Sequence, residues 1–239
     1  MTTPPTDATH PAVPYGTPDA PRIAVRGEAR LEVDPEIARI GITVAARGKD
    51  RRTALDDLTR RNTTTLDLIK TYGDAVEHLE TGAFSISPEL KDKGRGERIH
   101  AYHGRVHITA ELTDFTALGE LTTRLADLDL TRVDGPWWAL RPTSPAYRQA
   151  RQQAVKEAVQ RAREYADALG TTLAALVELA DIGAEDAQPY PPAPGARMRS
   201  MAYGAAAAED TPAALDLEPQ RQRVYAAVNA RFTMAPPQL

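Results

Sequence analysis

The feature that most constrains the fold is an alanine at every fourth residue through one long segment. The sequence predicts a helix over residues 145–169, with Ser144 as its cap, Pro145 in its first turn and Gly170 at its end. Residues four apart share one face of a helix, so this helix carries a stripe of small side chains: Ala150, Ala154, Ala158, Ala162 and Ala166. Such a stripe permits close approach of a sheet or a second helix, and we expect that packing within one copy of the chain.

Charged side chains occupy the rest of this helix surface. A solvated face is the plain interpretation, and an acidic partner is the alternative. The charged positions are Arg148, Arg151, Lys156, Glu157, Arg161, Arg163 and Glu164. We take Arg148, Arg151 and Tyr165 as candidate interface residues on this helix.

Alternation of apolar and polar residues predicts strands in the rest of the chain. The segments are 23–33, 36–47, 76–88, 98–112, 131–141, 173–182 and 221–234. Two further helices begin after Asp50 and Asp114. We pair the strands in chain order, so that the first two, the third with the fourth, and the last two form antiparallel pairs. The sequence therefore predicts an α+β fold of two interleaved halves, with antiparallel or mixed sheets and a long helix.

The segments outside this core differ in composition. Residues 1–22 contain six prolines and little apolar mass, which predicts a disordered arm. Residues 184–219 are rich in proline and alanine and are expected to form a mobile loop. We place a single domain at 23–234 and a short tail at 235–239.

Composition limits the classes of function. The formal net charge of -4 argues against a nucleic-acid binder, and the absence of cysteine removes disulfides and thiolate metal sites. No stretch reaches the ~18 apolar residues of a membrane-spanning helix. Residues 1–22 show neither the basic nor the apolar part of a secretory signal. We therefore expect a cytoplasmic protein, and an export signal removed before this sequence begins is the alternative.

No motif for catalysis or cofactor binding stands out. The histidines of the segment IHAYHGRVH suggest a metal site, but in a strand His103 and His107 lie ~13 Å apart and His100 faces the opposite side. A solvated strand face is the better interpretation. The sequence also lacks a Walker loop, an HExxH motif and a nucleophile elbow. We predict a protein that is not an enzyme and has no cofactor or metal site.

Two adjacent tryptophans give the clearest candidate for a contact surface. Trp137 and Trp138 lie in the predicted strand 131–141 and therefore point to opposite faces of its sheet. If Trp138 enters the core, Trp137 lies on the other face. A helix or the long loop of the same chain can cover Trp137; if neither does, an exposed tryptophan indicates an interface.

The order of several weak motifs resembles the SIMPL-domain family. The segment IAVRGEARLEVDPEIARIGITV is similar to the family's opening signature at Val25, Gly27, Pro35 and Ala38, with Glu36 in place of the usual aspartate. The helix RQARQQAVKEAVQRAREYADALG and the last strand VYAAVNARFTM also resemble the family, whereas Pro219 is followed by Gln220 where Pro-Gly is common. The resemblance covers residues 23–234, which makes the predicted domain SIMPL-like.

The resemblance implies a bacterial α+β protein, often exported to the periplasm or envelope, in a family without known catalytic residues. Some members are linked to oxidative stress, and some assemble into rings or channels. We therefore predict a non-enzymatic, self-associating protein, a homo-oligomer with a stress-related or scaffolding role. One alternative is an adaptor that binds a protein partner through the mobile loop or the N-terminal arm. The other is a ligand carrier or enzyme with a cleft between the two halves.

Overall fold

The computed structural model describes residues 16–91, 98–181 and 214–238. Within these ranges the chain forms three helices and two antiparallel sheets, which confirms the α+β class. The strands are β1 Arg22–Val33, β2 Ile37–Gly48, β3 Val76–Lys91, β4 Arg98–Leu112, β5 Thr131–Ala139, β6 Leu173–Asp181 and β7 Gln222–Met234. The helices are α1 Arg51–Lys70, α2 Phe115–Ala126 and α3 Pro145–Ala168.

The helices begin at the capping residues that the sequence indicates. The Asp50 carboxylate accepts a hydrogen bond from the Thr53 N–H at 2.9 Å, and Asp114 accepts from Thr116 and Ala117 at 2.9 and 3.1 Å. Before α3, the Ser144 hydroxyl accepts from the Ala146 N–H at 3.3 Å. After α3, Gly170 has a φ of +66°, the left-handed conformation that glycine adopts without strain.

The chain divides into two compact units, each assembled from separate stretches of sequence. The three-stranded unit contains β1, β6, β7 and α3. Its first stretch ends at Glu32, its second begins at Thr143 and its third begins at Arg223. The four-stranded unit holds the remaining strands and helices. Whether residues 23–234 behave as a single domain stays a prediction.

In the three-stranded unit the strand order is β1-β7-β6, and α3 packs on one face of the sheet. The alanine stripe lies against β1 and β7, where it contacts Val25, Val228 and Phe232. Gly27 lies directly under the helix. A β-carbon at Gly27 would lie 2.1 Å from the carbonyl oxygen of Ala154 and 2.6 Å from the N of Ala158. Glycine and alanine together therefore set the distance between helix and sheet.

In the four-stranded unit the strand order is β3-β4-β2-β5, and every neighbouring pair is antiparallel. Helices α1 and α2 cover one face of this sheet. Its core contains large aliphatic side chains with no exposed surface: Ile40, Ile42, Ile69, Ile108, Leu112, Leu118, Leu121 and Leu125. The other face carries no helix from this unit within the described residues, and it is called the open face below.

One predicted strand pairing is wrong. The strands 23–33 and 36–47 exist, but β1 pairs with β7 and β2 lies between β4 and β5, so they belong to different sheets. The pairing of β3 with β4 and that of β6 with β7 are confirmed. Alternation identifies which face of a strand is buried and carries no information about its neighbour. Asp34-Pro35 therefore marks the passage from one sheet to the other.

The segments predicted to be mobile fall mostly outside the described residues. This is so for 1–15 of the arm and for 184–213 of the long loop. Residues 214–220 form neither helix nor strand. Within them, the Leu215 N–H donates to the Thr123 hydroxyl of α2 at 3.1 Å, and Leu217 packs against the core of the four-stranded unit.

Candidate contact surfaces

The four predicted interface residues all lie on the surface. Trp137 is 53% exposed and Tyr165 is 55% exposed. Arg148 and Arg151 are exposed, and neither makes an ion pair with any residue that the structure describes. Trp137 belongs to the four-stranded unit and the other three to α3 of the three-stranded unit. The structure therefore does not bring them together in one unit, and their role in an interface stays a prediction.

The adjacent tryptophans point in opposite directions, as the strand periodicity predicts. Trp138 packs against the core of the four-stranded unit and meets Phe115 edge to face, with ring centroids 4.8 Å apart. Trp137 lies on the open face, opposite Arg39 of β2. Its exposure shows that the described part of the chain leaves about half of this ring uncovered.

Paired charges line the open face around Trp137. The Arg39 Nε donates to Glu111 of β4 at 2.9 Å, and Arg132 donates to Asp134 beside it on β5. The Thr43 hydroxyl lies 3.4 Å from Nδ1 of His107. Pairs exposed to this degree contribute at most about 1 kcal/mol each to stability. Their main effect is to place fixed donors and acceptors on the open face.

A second group of charges surrounds Glu89 at one end of the open face. Arg47 donates to the Glu89 carboxylate at 2.7 Å, and the His103 Nε2 lies 2.9 Å from the same oxygen. The hydrogen bond from Arg47, followed by that from His103, holds the pKa of Glu89 below its ordinary value. A lowered carboxyl pKa means that the ionised pair supports the fold at neutral pH. That support is lost as the pH falls through the lowered pKa.

The edge strand β6 presents the largest group of exposed aliphatic side chains among the described strands. Leu176, Val177 and Leu179 are 54%, 42% and 46% exposed. In the order β1-β7-β6 the second edge of β6 has no strand beside it in the part of the chain that the structure describes. The strand carries two acidic residues, Glu178 and Asp181, and Glu178 is engaged by Arg231. Natural proteins usually cover, shorten or charge such an edge.

A groove of about 460 Å³ runs along β6 on its helix side. It is lined by Val159, Arg163 and Asp167 of α3, by residues 172–176 and by Phe232. The groove exists because α3 packs over β1 and β7 and leaves β6 only partly covered. The free edge and the groove together form one continuous surface, called the β6 surface below.

Sequence reasoning missed the β6 surface. The segment 173–182 was predicted as a strand, but its aliphatic residues are typical of a buried strand too. Their exposure follows from the edge position of β6, which in turn depends on the pairing of β1 with β7. Two of the nine residues in LAALVELAD are acidic, close to the 26% charged content of the whole chain, so composition does not mark the edge either.

The structure places the histidines on strands, as the alternation predicts. His100, His103 and His107 all belong to β4. Across residues 16–91, 98–181 and 214–238, no group of three or more histidines, aspartates or glutamates is arranged to hold a metal ion. None of the helices in these ranges combines the length and apolarity needed to span a membrane.

The fold defines an α+β protein whose described residues leave parts of two sheets exposed. The family model described as SIMPL, a protein of unknown function (DUF541), matches residues 23–232. This chain belongs to the SIMPL family. The resemblance found in the sequence is thereby confirmed.

Two relatives from Brucella are similar to this chain. The 26 kDa periplasmic immunogenic protein of Brucella melitensis biotype 1 is 27% identical over 202 residues, which are 80% of this chain and 76% of the relative. The protein of the same name from Brucella abortus strain S19 matches equally. Both names say periplasmic, and this finding overturns our expectation of a cytoplasmic protein. That expectation rested on residues 1–22, whereas the likeness extends over most of the chain.

Proposed function

We propose that this protein is a periplasmic, non-enzymatic protein with a scaffolding role, whose copies associate through the β6 surface. The periplasmic location is carried over from the names of the Brucella relatives. The observation that supports self-association is the free edge of β6 with its exposed aliphatic side chains. A stress-related role, an adaptor role and a carrier or enzyme role stay predictions.

The edge of β6 supports association because a partner strand would contribute both backbone hydrogen bonds and burial of apolar side chains. A second strand can satisfy the outward backbone N–H and C=O groups of β6, and its side chains can cover Leu176, Val177 and Leu179. Burying a large aliphatic side chain completely contributes about 1.5–3 kcal/mol. These side chains are already about half covered, so the three together contribute roughly 3 kcal/mol.

That contribution is too small for strand pairing alone to hold two copies together. Association costs at least about 4 kcal/mol in lost translation and rotation, and stable interfaces bury more than about 1,000 Å². The neighbouring groove of about 460 Å³ has a mixed polar and apolar lining and supplies further area to bury on the same side of β6. We therefore expect an interface that includes both the edge and the groove.

A second copy of the chain is the occupant that best fits this surface. A two-fold axis through the middle of β6 brings the strand against its own copy in antiparallel pairing. In that arrangement apolar side chains meet apolar side chains, and the charge of Glu178 is already balanced by Arg231. Closed two-fold dimers are the commonest symmetric assemblies.

Light scattering of the purified protein between about 1 and 100 μM tests this proposal. We expect a mass of at least twice the 26.0 kDa of one chain. Val177→Lys places an ammonium group in the interface, where burial without a partner costs several kcal/mol, so Kd rises at least about 100-fold. The variant should therefore scatter as a monomer.

Leu55→Lys is the matched control, because Leu55 of α1 is 42% exposed, as is Val177. It should keep the mass of the wild type. Circular dichroism shows that both variants are folded. A monomeric wild type over the whole range, or a Val177→Lys variant with unchanged mass, would show that the proposal is wrong.

A further inference from the structure

The six-membered ring of Trp137 reaches the neighbouring strand β2 on the open face. A β-carbon at Gly41 of β2 would lie 3.4 Å from both Cη2 and Cζ3 of this ring, and 3.1 Å from Cε1 of His107. Gly41 is buried, and Trp137 remains 53% exposed. The missing side chain of Gly41 therefore leaves space for this part of the ring, and Trp137 remains partly exposed to solvent.

A polar groove begins beside this ring. It measures about 460 Å³ and is lined by Arg39, His78, Glu80, Thr109 and Glu111. The strand register places Trp137, Arg39, Glu111 and His78 in one row across all four strands. At about 4.8 Å between strands, this row is roughly 14 Å long. The ring and the groove thus form one elongated surface with an aromatic end and a polar end.

The chemistry of this surface matches a sugar chain. One face of a pyranose ring presents C–H groups with partial positive charge, which are attracted to the negative face of an indole. Its hydroxyl groups both donate and accept hydrogen bonds. Arg39 supplies donors, Glu80 and Glu111 supply acceptors, and Thr109 supplies both. The pairing of Arg39 with Glu111 holds these groups in place before a ligand arrives.

The charged side chains of this surface indicate whether the sugar is neutral or anionic. Around the ring and groove, Arg39 and Arg132 face three carboxylates, those of Glu80, Glu111 and Asp134. The slight excess of negative charge disfavours an anionic ligand. It also disfavours a second copy of this chain, because the centres of protein interfaces are depleted in charged residues. A neutral ligand with many hydroxyl groups is not repelled by the carboxylates, and it can form hydrogen bonds with these charged groups.

We infer that the open face binds a neutral oligosaccharide, with one sugar ring stacked on Trp137 and the next ones hydrogen-bonded along the groove to Arg39, Thr109 and Glu111. This inference is independent of self-association through β6, since it concerns the other sheet.

Isothermal titration calorimetry with cellohexaose, maltohexaose and N-acetylchitohexaose tests the inference. We expect at least one of these to bind the wild-type chain with Kd below about 1 mM, corresponding to roughly -4 kcal/mol. Trp137→Ala should weaken that binding at least tenfold. Gly41→Val, which fills the space that the ring occupies beside Gly41, should weaken this binding while leaving Trp137 in the chain.

Phe84→Ala is the matched control for the loss of an exposed aromatic ring. Phe84 is 55% exposed and lies opposite the core residue Val106, so it faces away from the open face. Its removal should leave Kd unchanged. Failure of all three sugars to bind at 10 mM, or equal binding by Trp137→Ala, overturns the inference. A Trp137→Ala variant that turns from oligomer to monomer would also overturn it, since this face would then be a subunit contact.

Discussion

Replacing Gly27 by alanine is expected to lower the free energy of unfolding of the three-stranded unit by about 3 kcal/mol, the upper part of the usual range for overpacking. The added methyl group would lie 2.1 Å from the carbonyl oxygen of Ala154, 2.6 Å from the N of Ala158 and 2.7 Å from its Cβ. No β-carbon in a folded protein lies this close to such atoms. Two of the three are backbone atoms, so the helix itself must move.

Urea unfolding followed by far-ultraviolet circular dichroism measures this effect, because α3 is the longest of the described helices. Gly82→Ala is the matched control. Its new β-carbon would lie 3.6 Å from the nearest atom, which is an ordinary contact, and alanine is favoured over glycine inside a strand. We expect the control to be as stable as the wild type or slightly more stable. If Gly27→Ala unfolds at the wild-type urea concentration, α3 does not pack on β1 as described.

Replacing Ile42 by alanine should destabilise the four-stranded unit by about 3 kcal/mol. Ile42 has no exposed surface and lies on the central strand β2, between Ile108 of β4 and Val133 of β5. Removing its side chain loses buried apolar area and leaves a cavity, and comparable changes cost about 2–5 kcal/mol. The neighbouring strands limit how far the structure can relax into the space.

Tryptophan fluorescence reports this loss selectively, because both tryptophans of the chain belong to β5 of the four-stranded unit. Trp138 packs against the same core as Ile42, so its emission follows the unfolding of that core. Thr43→Ala is the control. Thr43 follows Ile42 in β2, so its side chain points to the opposite face of the sheet. There its hydroxyl lies 3.4 Å from Nδ1 of His107. We expect a small change for Thr43→Ala. Equal changes for the two variants would contradict the assigned faces of β2.

The sequence was sufficient to predict the elements and the class of fold, because each depends on local patterns. A few neighbouring residues determine the capping by Asp50 and Asp114. The same is true of the alternation along the strands. Pairing is different, because it joins residues far apart in the chain. Thus β1 was predicted beside β2, the next strand in sequence, whereas it pairs with β7 at the other end of the chain.

The open face and the β6 surface likewise differ in what local sequence patterns could predict and what depended on strand pairing. Trp137 was found from the sequence, because two adjacent tryptophans in a strand must face opposite sides. The contact of its ring with Gly41 was not foreseen, since it depends on the pairing of β2 with β5. The β6 surface was missed for a related reason. Its leucines become exposed only because the order of the sheet places β6 at an edge.

Amide hydrogen exchange at β6 tests the central claim most directly. Alternate N–H groups of this strand point away from β7, and in a free edge they exchange rapidly with solvent. If copies pair through this edge, these amides should exchange at least about 100-fold more slowly in the wild type at 100 μM than in the monomeric Val177→Lys variant. Equal and rapid exchange of the outward amides in both proteins would contradict pairing through β6.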